Sequence, residues 1–96
     1  MPWAYVETVS EGGRWEDYQR VVKELGDGAP DGLIVHVAGP YGEGFRIIDV
    51  WESEEAYNQF RDERLMPAFE RALGADRAAA NPPHKETLDI QHMVKP

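Results

Sequence analysis

Asp49 and Trp51 stand two residues apart at the end of an apolar run, in the stretch DVWESEEAYNQF, and a histidine, His36, lies in the middle of the run before it. A carboxylate and an imidazole are the parts of general acid–base chemistry near neutral pH. The histidine titrates in that range, and the carboxylate orients it or takes a proton from substrate. Trp51 offers a ring on which an aromatic ligand stacks, and Tyr5 a hydroxyl that donates to a carbonyl or phenolate. The candidate catalytic pair is therefore His36 and Asp49, and the candidate substrate contacts are Tyr5, Trp51, Phe45 and Gln91. Each also has a plainer role. His36 can be a packed, hydrogen-bonded histidine, Asp49 can pair with Arg46 or a helix N-terminus, and Trp51 and Tyr5 can serve packing alone.

Other chemistries find no footing in the residues. The chain has no cysteine, which removes disulfides, thiolate catalysis and thiolate metal sites. Glu7, His36, Asp49 and Asp89 contain one histidine and no ligand spacing, and His84 and His92 belong to other elements, so neither a metal nor a cofactor is expected. The glycine-rich GPYGEG joins two strands, whereas a phosphate-binding loop joins a strand to a helix. Eighteen acids against ten bases give a net charge of −8 with no basic block, which argues against nucleic acid and anionic membrane as partners. No eighteen apolar residues stand together, and MPWAYVETV has no basic segment before a long apolar run. The expectation is a cytoplasmic protein whose excess acid keeps it in solution.

The elements that must position these residues follow from periodicity. Ninety-six residues at 42% hydrophobic content make one domain, 1–96, small enough to profit from a partner chain. Trp3 to Val9 is aromatic and β-branched and predicts a first strand, ended by Ser10-Glu11-Gly12-Gly13. Trp15, Tyr18, Val21, Val22 and Leu25 mark one face of a helix from Arg14, with Gly26 as its C-cap. Leu33 to Ala38 and Phe45 to Trp51 flank a glycine-rich connection and predict a β-hairpin. Ser53 suits an N-cap, with Glu54 and Glu55 where the helix dipole favours negative charge. Pro67 lacks an N–H and disfavours helix at Met66, so a break or kink is expected before Ala68 to Leu73. A polar loop from Gly74 to Lys85 then leads to a last strand, Thr87 to Val94.

The order βαββαβ points to a ferredoxin-like α+β sandwich, an antiparallel four-stranded sheet with both helices on one face. A hairpin register with Ala38 opposite Phe45 gathers Ile34, His36, Ala38, Phe45, Ile47, Asp49 and Trp51 on one side, with Trp3, Tyr5 and Glu7 from the first strand and Asp89 and Gln91 from the last. The other side holds Leu33, Val35, Val37, Ile48 and Val50, aliphatic except for Arg46, with Ala4, Val6, Thr8, Leu88, Ile90 and His92. The aliphatic side is expected beneath the helices, because an unpaired Asp49 carboxylate would cost several kcal/mol there. The mixed aromatic side would then be covered by a second copy of the chain, enclosing His36 and Asp49 between two sheets.

With these elements in place, the strand ending Trp51-Glu52-Ser53, the acidic helix start with Ala56 and Phe60, and the preceding Asp31-Gly32-Leu33-Ile34 resemble the dimeric α/β-barrel superfamily, in particular its antibiotic biosynthesis monooxygenase-like domains. The likeness is strong over Gly32 to Leu73. It implies a protomer that pairs through its sheet into an α/β barrel and binds a small apolar or aromatic molecule, as a cofactor-independent monooxygenase or an isomerase. Monooxygenases of that group commonly use a strand asparagine, and here Asn58 and Asn81 fall on a helix and in a loop. Two other functions remain open. One is a non-catalytic dimeric carrier or accessory subunit. The other is an interaction module using the acids Glu52, Glu54, Glu55, Asp62 and Glu63.

Overall fold

Alternating β-branched and aromatic residues, two amphipathic runs and a short turn at Gly42 generate the observed order. The computed structural model describes residues 1–10, 13–74 and 84–96. Strand β1 is Trp3–Val9, helix α1 Trp15–Leu25, strand β2 Leu33–Tyr41 and strand β3 Gly44–Trp51. Helix α2, Glu54–Phe60, passes through a π-helical turn at Arg61–Leu65 into helix α3, Met66–Leu73, and strand β4 is His84–Asp89. The sheet order is β2-β3-β1-β4 with every neighbouring pair antiparallel, the ferredoxin-like arrangement that the element order predicts.

Local chemistry accounts for the boundaries. Ser53 Oγ accepts the Ala56 N–H at 3.1 Å and caps α2 as expected. Asp17 Oδ2 accepts the Arg14 N–H at 3.0 Å at the start of α1, and Gly26 ends that helix at a φ of 79°. The expected break at Pro67 is absent. The helix instead widens by one turn, with the Met66 N–H donating to the Arg61 carbonyl five residues back. This spreads the turn where a proline ring would otherwise strike the carbonyl four residues before it.

The hairpin has the expected parity with a shift of two residues. Ala38 lies opposite Ile47, His36 opposite Asp49, and Phe45 opposite Pro40. A bulge between Leu33 and Val35 turns Leu33 onto the same side as Trp51. The last strand is displaced from the expected Thr87 to Val94. It pairs Trp3 with Asp89 and ends there, with a final bond from the Ile90 N–H to the Pro2 carbonyl at 3.0 Å. Gln91 and His92 therefore fall beyond the sheet, and both are exposed. Most of the expected loop from Gly74 to Lys85, residues 75–83, lies outside the described residues, and Lys85 itself is in β4.

The faces are the reverse of those expected. Trp3, Tyr5 and Trp51 are buried against Tyr57 of α2, with Leu33, Ala56 and Phe60 packed around them. Tyr5 and Tyr57 stack with ring centroids 4.6 Å apart, and Tyr57 meets Trp51 edge-on at 5.6 Å. Large rings bury more apolar area than valines, and a helix carrying Tyr57 and Phe60 complements them. The objection to burying Asp49 fails because its carboxylate is not unpaired. The aliphatic face is left outward, with Val35 47%, Val37 52%, Ile48 43% and Leu88 64% exposed. Arg46, on that face, donates to Thr8 Oγ1 at 3.0 Å and lies 3.9 Å over the Tyr41 ring, so it does not serve Asp49.

Gly44 marks the tightest backbone approach, since a Cβ there would overlap the carbonyl oxygen of Val9. Main chain cannot step aside as a flexible side chain does. Gly44→Ala should therefore lower unfolding free energy by about 2–3 kcal/mol, read as a lower urea midpoint with an unchanged slope.

Candidate functional site

Residues directly opposed across neighbouring strands share a face, so the register places His36, Asp49 and Tyr5 in one row across β2, β3 and β1, beneath the helices. Asp49 is 5% exposed, and both of its oxygens are engaged. Oδ1 meets His36 Nδ1 at 2.5 Å, and Oδ2 accepts the Trp51 indole N–H at 3.2 Å. The two-residue spacing of Asp49 and Trp51 is thereby explained: alternate residues of a strand point the same way, which lets the indole reach back to the carboxylate.

The other nitrogen of the imidazole is occupied too. His36 Nε2 lies 2.6 Å from the Tyr18 hydroxyl of α1. Tyr18 is half-buried between Trp15 and Phe45, with ring centroids at 4.8 and 5.5 Å. A carboxylate only accepts, so Nδ1 carries a proton, and when the ring is neutral Nε2 receives the Tyr18 O–H. The chain thus runs Tyr18 to His36 to Asp49, with Trp51 on the far oxygen. The hydrogen bond to Asp49 raises the His36 pKa above its ordinary 6.5, partly opposed by burial and aided by the Asp49 charge. Burial, and then the Asp49 charge, raises Tyr18 above its ordinary 10.0, so Tyr18 remains a neutral phenol.

These groups border a cavity of about 460 Å³ between the sheet and the helices. Its apolar wall includes Phe45, Trp51, Phe60, Phe69 and Leu73, and its polar groups include Tyr18, His36, Asp49, Glu7 and Lys85. Tyr5 is also on the wall, where its hydroxyl donates to Glu7 Oε1 at 2.6 Å. Burial, and then the Glu7 charge, pushes the Tyr5 pKa far above its ordinary value. Five of the six residues singled out from the sequence, His36, Asp49, Tyr5, Trp51 and Phe45, therefore line a single cavity. Gln91 stands apart, exposed, with its amide 3.5 Å from Met1 Sδ. The cavity lies within one chain, between sheet and helices, and not between two sheets as the sequence led us to expect. Among the described residues no group of three or more His, Cys, Asp or Glu is placed to hold a metal ion, and no helix is long and apolar enough to cross a membrane.

No protein-family model matches the chain, and no curated protein does. Among solved structures it is similar to the crystal structure of NE2512, a protein of unknown function from Nitrosomonas europaea. The TM-score is 0.64 at 17% identity, over 99% of this chain and 93% of that one. The fold is what the two share. At that identity no side-chain role carries across.

Tyr18 is the site residue that sequence reasoning passed over. Its spacing from Trp15 and Val21 marks it as part of an apolar helix face, and only a hydroxyl needing a partner beneath that face distinguishes it. The His36 shift fixes the sign of a stability effect. A pKa raised by folding adds stability that is fully present below the unfolded value of about 6.5 and is lost as pH rises through the folded value. Urea midpoints of wild type should therefore fall relative to His36→Asn on going from mildly acidic to mildly alkaline buffer. Parallel pH curves for the two proteins would show that the imidazole gains nothing from Asp49.

Proposed function

We propose that this domain binds a small, largely apolar, aromatic-ring molecule in the cavity between its sheet and helices, with His36 and Asp49 handling a proton of that ligand. The observation that carries the reading is the junction of a hydrogen-bonded imidazole–carboxylate pair with an aromatic-walled cavity of about 460 Å³. That volume lies within the roughly 300–1,000 Å³ of small-molecule sites. A neutral imidazole backed by a carboxylate is a base near neutral pH. Cofactor-independent oxygenation or isomerisation is the chemistry implied by the resemblance of Gly32 to Leu73 to antibiotic biosynthesis monooxygenase-like domains. In either case the first step is removal of a proton from an activated, phenol-like substrate.

The partner in this reading is a second copy of the chain, seated on the aliphatic face of Val35, Val37, Ile48 and Leu88, and the exposure of those residues in one chain supports it. A different observation favours a carrier without turnover. Among the described residues every buried side-chain nitrogen or oxygen already has a hydrogen-bond partner, as in a site that only encloses its ligand.

A panel of two- and three-ring phenols should quench tryptophan fluorescence saturably, and Leu73→Trp, which fills the cavity, should weaken that binding about tenfold or more. Absence of saturable quenching across the panel would sink the binding reading. For any member that is turned over, His36→Ala and Asp49→Asn should each lower kcat by about a hundredfold or more, whereas unchanged kcat in both would select the carrier. Light scattering should give twice the 10.9 kDa of one chain, and Val37→Lys should return the mass to that of one chain. A wild-type mass of one chain at working concentration removes the dimer.

A further inference from the structure

Both nitrogens of His36 are spoken for within the protein, and this restricts how any ligand exchanges a proton with it. Nδ1 is held by Asp49 Oδ1 at 2.5 Å, and Nε2 by the Tyr18 hydroxyl at 2.6 Å. A molecule in the cavity therefore finds no free lone pair on the imidazole. It does find Tyr18, which lines the same cavity. From this geometry, and resting on the cavity reading above, we infer that Tyr18 is the catalytic residue that touches the ligand, and that it takes the hydroxyl class of that reading's ligands, not the ether class, by accepting a hydrogen bond.

The class follows from hydrogen-bond direction. With His36 neutral, the Tyr18 O–H is spent on Nε2, so its oxygen presents lone pairs alone to the cavity and requires a donor there. A carbonyl or ether oxygen would meet acceptor with acceptor. A phenolic O–H satisfies the oxygen, and an aromatic ring satisfies walls such as Phe45 and Phe60. The transfer is then a two-proton shift. The ligand O–H bond breaks and its proton joins the Tyr18 oxygen, while the Tyr18 O–H bond breaks and that proton joins His36 Nε2. The charge that results is a ligand phenolate and an imidazolium held against Asp49. Tyr18 ends as a neutral phenol whose new O–H points at the phenolate, so the hydrogen bond that accepted from the substrate now donates to the product. No oxidant or further reactant is consumed in this step. Trp15 and Phe45 fix the Tyr18 ring from two sides, which keeps the oxygen in line between ligand and imidazole.

The test uses para-nitrophenol, whose anion absorbs visibly, and its methyl ether para-nitroanisole, which has the same ring without the donor. Wild type, titrated from mildly acidic to mildly alkaline pH, should come to bind the phenol about tenfold or more tightly than the ether as His36 loses its proton, and should raise the bound phenolate fraction above that of free probe. Tyr18→Phe, with its fold checked by circular dichroism, should still bind the ether but lose both the preference and the added ionisation. Equal affinity of wild type for phenol and ether overturns the inference without reference to any variant. Tyr18→Phe that ionises bound para-nitrophenol as wild type does overturns it as well, and leaves the cavity reading standing. If neither probe binds wild type saturably, the cavity reading fails, and this inference with it.

Discussion

A carboxylate buried beneath two helices is the constraint on which the rest of this structure depends. Asp49 sits in the middle of three adjacent strands, on the face that the helices cover, where an ionised group without partners would cost several kcal/mol. Two donors remove that cost. One comes from its own strand two residues on, the Trp51 indole, and the other from the neighbouring strand, the His36 imidazole. Each donor is then tied to packing of its own: Trp51 to the cluster with Tyr57 and Phe60, and His36 to Tyr18 and through it to α1. The carboxylate thus links the aromatic core at one end of the sheet to the first helix at the other.

This arrangement also explains why the helices cover the more polar side of the sheet. Rings as large as Trp3, Tyr5 and Trp51 gain the most when buried, and Tyr57 fits among them with centroid separations of 4.6 to 5.6 Å. Trp51, Tyr57 and Phe60 at one end and Phe45 at the other all line the cavity between sheet and helices. Cavity and core therefore share one face. The valines and Ile48 on the other face are freed from the monomer core altogether.

Most of the architecture was legible in the residues, because strand alternation, the Ser53 cap and the apolar helix faces are local signals that tertiary context did not override. The side of the sheet facing the helices was not, and the reason is specific. The sequence reading treated Asp49 as unpaired, whereas its partners come from Trp51, two residues on, and His36, thirteen residues back. The extent of β4 was misread because no local feature of Thr87 to Val94 reports that Trp3 is the last residue of β1 to pair with it. His36, Asp49, Tyr5, Trp51 and Phe45 could be grouped by strand parity alone. Tyr18 could not, since its hydroxyl meets a residue eighteen positions away on another element.

The π-helical turn at Arg61–Leu65 has a meaning for how the chain tolerates length changes. Such a turn holds one residue more than a regular helix needs, so a deletion within it would restore ordinary winding. Because the wide turn absorbs its extra residue locally, that deletion would leave the helix beyond it in phase, whereas a further deletion in regular helix would rotate everything beyond it by about 100° around the helix axis. Phe69 and Leu73 would then swing off the cavity wall while α3 itself stayed intact. The surplus residue is thus neutral in phase: the turn can give up one residue with the same stripe of the last helix still looking inward, and it has no second one to give.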